Sequence, residues 1–137
     1  MVGAGRSDDC SRLTFSNYGQ RVDAQGWGHL VYTTGNGDIF NGGDPDGTRL
    51  YTAIFSGTSS ASPCVVACIA VVQGVMKAHG RAPLTPAEAQ YLLRLTGTRQ
   101  RDSPSPGGDE WGSHATFKTE RIGNRPNLRT LIPAAMG

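Results

Sequence analysis

Histidine and cysteine are scarce in this chain, with three of each in 137 residues. Cys10, Cys64 and Cys68 form an odd set without a Cys-x-x-Cys pair, which argues against a zinc site. Aromatic residues make up 7% and hydrophobic residues 37% of the chain, slightly lean for a globular protein, yet the length suits one domain and no composition break divides it. A formal net charge of +2 is too small to point to nucleic acid or an acidic membrane as partner. Met1 to Gly5 has no charged region leading into an apolar core, so a signal peptide is not expected there. The longest apolar run lies within Ala61 to Met76 and contains Gln73. It falls short of the roughly 20 residues that span a bilayer, and a soluble chain is expected.

Turn-forming residues are plentiful: Gly 19 and Pro 8. Val2 to Ala4 reads as the end of a buried strand, Arg6 to Arg12 as a loop, and Leu13-Thr14-Phe15 as a short strand before a turn at Asn17-Tyr18-Gly19. Arg21 to Gly28 follows an irregular, glycine-punctuated path, and His29 to Thr33 reads as another strand. Gly35 to Arg49 reads as an exposed loop, in which Asp38, Asp44 and Asp46 raise the question of calcium. The EF-hand spacing is absent, and a solvated loop is the favoured reading.

The chain is organised around Ser56-Gly57-Thr58-Ser59-Ser60-Ala61-Ser62-Pro63, between the strand-like run Tyr51 to Phe55 and a very apolar stretch from Cys64 to Val72. Strand, tight turn and helix in that order place a hydroxyl at a helix N-terminus, where free N–H groups and the macrodipole favour developing negative charge. The bland alternative is a turn whose hydroxyls only cap the helix. Pro63 to His79 is apolar on all sides, which predicts a central buried helix with Pro63 in its first turn and Gly80 at its end. Cys64 and Cys68 share a face of this helix; they read as a reactive pair or, preferably in so apolar a setting, as small buried hydrophobes. Cys10 reads as a free thiol or an unpaired disulfide partner.

Thr85-Pro86-Ala87-Glu88 is a capping box that predicts a helix from Pro86 to Leu95, with Ala89, Leu92, Leu93 and Leu95 on its apolar face. Arg99 to Glu120 reads as a long loop with Trp111 and Phe117 as its anchors. Pro126 opens a last short helix bearing Leu128, Leu131 and Ile132, ended by Pro133.

Gly57-Thr58-Ser59-Ser60-Ala61-Ser62-Pro63 resembles the nucleophile motif of the subtilisin-like serine proteases, Gly-Thr-Ser-x-Ala-Ser-Pro, with Ser59 at the nucleophile position and every fixed position in agreement. Phe15-Ser16-Asn17-Tyr18-Gly19 with Arg21-Val22-Asp23, and Ile122-Gly123-Asn124-Arg125-Pro126-Asn127-Leu128-Arg129, resemble the family in the same order. Cys64 and Cys68 depart from it, standing where histidine is common and where glycine is usual. The resemblance implies an α/β fold: the C-terminal portion of a three-layer arrangement with a mainly parallel sheet and a central buried helix after the nucleophile. It makes residues 1–137 the C-terminal part of a peptidase catalytic domain. It also implies a serine endopeptidase acting on a protein or peptide substrate, with Ser59 as nucleophile, its backbone N–H in the oxyanion hole and Thr58 as a supporting hydroxyl. No cofactor is implied beyond the calcium found in the family, for which no motif stands here. A secreted or extracellular setting is implied by the family.

A serine attacks a peptide only when a histidine takes its proton and an acid orients that histidine. In the family both lie upstream of the serine, in Gly-containing motifs that residues 1–58 do not contain. His29, in Gly28-His29-Leu30, lacks the His-Gly-Thr pattern and reads as a surface or partly buried residue; His79 and His114 lie downstream. Asp23 matches a family position outside the triad. The oxyanion-hole asparagine also comes from an upstream segment in the family. Losing an oxyanion donor costs about 100- to 1,000-fold in turnover and losing the base about a million-fold, magnitudes established on subtilisin itself. The chain alone is therefore expected to be inactive, and to need a missing N-terminal catalytic segment as partner. The abrupt start at Val2 reads as a truncated or split chain. The alternative from another class is a non-enzymatic interaction module that uses the Gly35 to Arg49 loop. So apolar a helix also predicts an isolated chain that exposes apolar surface or self-associates.

Overall fold

The computed structural model describes residues 1–41, 43, 47–102 and 120–137. Its elements in chain order are β1 (Val2–Gly5), β2 (Ala24–Trp27), β3 (Val31–Thr34), β4 (Tyr51–Phe55), α1 (Thr58–Ala78), α2 (Pro86–Leu95) and α3 (Leu128–Met136). The mixture of helix and strand is compatible with an α/β fold.

Among the described residues the strands form two small sheets. β1 and β2 pair in parallel from Val2 opposite Ala24 to Gly5 opposite Trp27. The free edge of β2 is extended by one parallel bridge to Asn124, where the Gln25 N–H donates to the Asn124 carbonyl at 3.0 Å. β3 and β4 pair antiparallel with an irregularity between Val31 and Thr33. Small residues in β1 and β2 let α1 lie close: a Cβ on Gly26 would stand 2.1 Å from the Ala61 carbonyl oxygen.

The core forms where α1 meets the parallel pair and the other helices. Val65, Val72 and Met76 pack with Ala24, Leu92, Leu93 and Leu131, while Ala61 packs with Ala4 and Leu13. Gln73, the polar break in the apolar run, sits against the connection to α2. Its Nε2 donates to the Leu84 carbonyl at 2.9 Å and its Oε1 accepts from the Leu84 N–H at 2.8 Å. A backbone that would otherwise be orphaned is satisfied by one side-chain amide.

Several expectations are corrected. Helix α1 starts at Thr58, so Pro63 lies in its second turn, where its missing N–H removes the donor that would reach the Ser59 carbonyl. The helix is 21 residues long and holds an 18-residue window of mean hydropathy 1.7, so it is long and apolar enough by length and composition to cross a membrane, although the apolar run read from the sequence is shorter. Nor is it buried on all sides: Val66 is 66% and Val71 44% exposed. Leu13-Thr14-Phe15 is a turn, because the Arg12 guanidinium gathers the carbonyls of Leu13, Thr14 and Ser16 at 2.9, 2.7 and 2.8 Å and curls the chain around itself. Arg12 in turn pairs with Glu120 at 2.6 Å.

Helix α2 has the expected bounds and capping box, with the Glu88 N–H on Thr85 Oγ1 at 3.3 Å and the Thr85 N–H on Glu88 Oε2 at 2.8 Å. Leu92 and Leu93 are buried as expected, but Leu95 points to solvent. Helix α3 continues through Pro133 to Met136, and its cap is Asn127, whose Oδ1 accepts from the Arg129 N–H at 3.0 Å. The Gly35 to Arg49 segment is held at its base: Asp38 Oδ2 accepts from the Ala53 N–H at 3.1 Å, and the Thr52 hydroxyl followed by that N–H holds the carboxyl below its ordinary range. Asp44 and Asp46 lie outside the described residues, as do Trp111, His114 and Phe117.

Candidate active site

The turn between β4 and α1 needs a glycine. Gly57 caps the helix with φ 135°, a backbone that other residues rarely adopt. Its N–H donates to the Gly28 carbonyl at 2.7 Å, and its own carbonyl accepts from the Ser60 and Ala61 N–H groups at 3.1 and 3.4 Å. Thr58 and Ser59 are the first two residues of α1, so their N–H groups belong to the unpaired first turn.

Four serines crowd this stretch, and their hydroxyls are used differently. Ser56 Oγ donates to the Ile54 carbonyl at 3.2 Å, and Ser62 Oγ to the Thr58 carbonyl at 3.0 Å. Ser60 is buried; its Oγ lies 2.8 Å from the Gly57 carbonyl and 3.1 Å from the Trp27 carbonyl, bracing the helix start against β2. Ser59 is exposed, and among the described residues its hydroxyl has no hydrogen-bond partner. Capping therefore accounts for none of its placement: the three neighbours spend their hydroxyls on backbone, while Ser59 presents a free Oγ beside free N–H groups at a helix N-terminus. That arrangement suits a nucleophile whose product oxyanion is met by backbone donors. Thr58 engages through its carbonyl, and its hydroxyl has no partner among the described residues.

No acid or base joins Ser59 by a hydrogen bond among the described residues. His29 is more buried than the sequence suggested, at 7% exposure, with Nδ1 unpartnered. It follows Gly28, the residue that holds Gly57, yet no hydrogen bond links its ring to the serine. His79 lies at the far end of α1, about 30 Å away at 1.5 Å per residue, with its Nδ1 2.9 Å from the Val75 carbonyl. Asp23 is consumed by structure: it takes the Met1 ammonium at 2.5 Å, Gln90 Nε2 at 2.8 Å and Arg94 Nε at 2.6 Å. Burial raises its carboxyl, but these donors outweigh burial and hold it at about 2.

Sequence reasoning undervalued the cysteines on α1. Cys64 and Cys68 are half-buried rather than buried, and both line a cavity of about 230 Å3 with Trp27, Arg125 and Pro126. Their spacing four apart was the available signal; the opening beside them depends on where β2 and the Arg125-Pro126 segment fall. Cys10 is buried with a free thiol, which burial pushes up, and a φ of 67°.

No curated protein matches the chain. A family model does: the one described as the Subtilase family, Peptidase S8, matches residues 1–114. That span takes in both small sheets, the serine-bearing turn, α1 and α2, and stops short of Ile122 to Arg129. With most of its length matched, this chain belongs to the subtilase family.

Proposed function

We propose that residues 1–137 are the C-terminal part of a subtilisin-like catalytic domain, and that Ser59 is its nucleophile in peptide-bond hydrolysis through an acyl-enzyme. The observation that carries this reading is the uncommitted, exposed hydroxyl of Ser59, set among three serines whose hydroxyls are occupied. In this reading the Ser59 N–H supplies one oxyanion donor, and Thr58 sets the first turn of α1 through its carbonyl. The substrate is a protein or peptide, the family's reaction class.

The base and its acid come from a separate N-terminal catalytic segment, the partner this reading requires. The exposed face of α1 supports it. Ser59, Pro63, Val66, Ala67, Ala70, Val71 and Gly74 are all exposed and recur at the spacing of one helix face. A segment that covers this apolar stripe lies over Ser59, so the same contact that satisfies the helix delivers the histidine. Completed in this way, α1 becomes the central buried helix of the three-layer subtilisin-like arrangement.

The test is reconstitution. The chain is mixed with the N-terminal part of a subtilase catalytic domain carrying the Asp and His motifs, and treated with a fluorophosphonate. Labelling at Ser59 that disappears in Ser59→Ala supports the reading. A stable, folded complex with no label at Ser59 overturns it, and a biological effect that survives Ser59→Ala assigns the chain to an interaction role.

A further inference from the structure

Cys64 and Cys68 stand one helical turn apart on α1, both free of disulfides, and open into the same cavity of about 230 Å3. Cys64 Sγ donates to the Ser60 carbonyl at 3.5 Å. Burial, and then the neighbouring Cys64, push the Cys68 thiol up. On a helix, Cβ atoms four residues apart are about 5–6 Å apart. Two metal–sulfur bonds of about 2.3 Å laid end to end span about 4.6 Å, with thiolate–zinc distances as a guide, and rotation about χ1 brings the sulfurs to that spacing.

The kind of cation follows from the surroundings. Zinc needs four ligands, and among the described residues no group of three or more His, Cys, Asp or Glu gathers anywhere. A soft ion that accepts two thiolates in a line needs no more than this pair. With a monovalent ion the two-thiolate complex carries one net negative charge, which an apolar cavity resists. Arg125 answers it: the residue lines the cavity, lies within electrostatic reach of Cys10, Asp9, Asp8 and Cys64, and donates from Nη1 and Nη2 to the Ser7 and Arg6 carbonyls, while its buried Nε has no hydrogen-bond partner among the described residues.

We propose that Cys64 and Cys68 form a two-thiolate clamp for a soft monovalent cation, Cu(I) or Ag(I), held in this cavity with Arg125 as counter-charge. On binding, two S–H bonds break, two sulfur–metal bonds form and two protons leave to solvent, with no change of oxidation state. The site stands on the cavity alone and does not depend on the role of Ser59.

Silver(I), which is stable in air, is the probe, titrated into the full 137-residue chain in chloride-free buffer. Native mass spectrometry is expected to show one silver per chain, and a weakly buffered titration two protons released per silver. Alkylation mapping on the wild type is expected to show Cys64 and Cys68 protected together, at the same silver concentration. Cys64→Ser and Cys68→Ser are each expected to weaken binding at least 100-fold, while Cys10→Ser stays within threefold. Protection of Cys64 and Cys68 at separate concentrations, one silver per thiol, or a serine variant that binds within threefold of wild type overturns the clamp. The alkylation measurement decides the matter even where a variant fails to fold.

Discussion

Arg94 of α2 donates from Nε to Oδ1 of Asp23 at 2.6 Å and sets Nη2, which donates to the Gln20 carbonyl, in an ion pair 2.5 Å from the same carboxylate oxygen. The pair fastens α2 to the residue just before β2, and the Met1 ammonium on Oδ2 ties the start of β1 into the same carboxylate. The Asp23 pKa, about 2 in the fold, lies below the roughly 3.9 of an unfolded chain. Its stabilisation is therefore complete above the unfolded value and drains away as pH falls from about 4 through about 2.

A fully retained shift of this size contributes about 2.6 kcal/mol. Met1 and Arg94 are 56% and 42% exposed, so solvent screening lowers the expectation to about 1 to 2 kcal/mol. Urea unfolding at pH 5, 4, 3 and 2 measures it. Asp23→Asn is expected to begin less stable at pH 5 and to lack this part of the acid loss. Equal acid sensitivity in both proteins would remove Asp23 as its source.

Ser59 and Ser60 are adjacent, yet their alanine variants should separate function from stability. Ser59 is exposed and uncommitted, so Ser59→Ala is expected within about 0.5 kcal/mol of wild type. Ser60 braces α1 against the Trp27 carbonyl from a buried position, and Ser60→Ala is expected to cost about 0.5 to 1.5 kcal/mol. In the reconstituted complex Ser59→Ala abolishes fluorophosphonate labelling, whereas Ser60→Ala slows it because the helix start loosens. Equal stabilities for the two variants would show that the Ser60 bridge contributes nothing.

Two glycines near α1 predict opposite signs. A Cβ at Gly26 would stand 2.1 Å from the Ala61 carbonyl oxygen and 2.7 Å from its carbon, backbone atoms that move only if the helix moves. Gly26→Ala is expected to cost more than about 4 kcal/mol, the range reserved for such collisions. Gly74 has nothing within 4 Å of its would-be Cβ and sits inside the helix, so Gly74→Ala is expected to stabilise by about 0.5 to 1 kcal/mol. Thermal unfolding of both variants checks the contrast.

What could be read from the sequence was local. The Thr85 to Glu88 capping box fixes α2 without help from the rest of the chain, and the run Tyr51 to Phe55 is a strand as its composition requires. The Leu13 to Phe15 segment failed for a distant reason: Arg12 holds the turn and is itself held by Glu120. Pro133 was read as a helix end, yet the chain behind it stays helical. At the candidate site the motif singled out Ser59 by resemblance. The distinction between its free hydroxyl and the occupied ones of Ser56, Ser60 and Ser62 needed three dimensions, since all four are the same residue type in one short stretch.

The exposed stripe on α1 makes the last prediction. Val66 and Val71 are 66% and 44% exposed, and Pro63, Ala67, Ala70 and Gly74 continue the same face without a charge. Such a face invites cover by another copy of the chain when nothing else is present. Covering the two valines contributes on the order of 1 to 2 kcal/mol each. Val66→Lys together with Val71→Glu is therefore expected to weaken self-association by roughly 30- to 1,000-fold, at about 1.4 kcal/mol per tenfold. Folding should be little affected, because both side chains already meet water. Sedimentation velocity across a hundredfold concentration range measures the first effect and thermal unfolding the second. The N-terminal catalytic segment proposed above should compete for the face, so its addition is expected to dissolve the self-associated species. A wild-type chain that sediments as a monomer at every concentration would show that the stripe tolerates solvent, and would leave that segment without this reason to dock there.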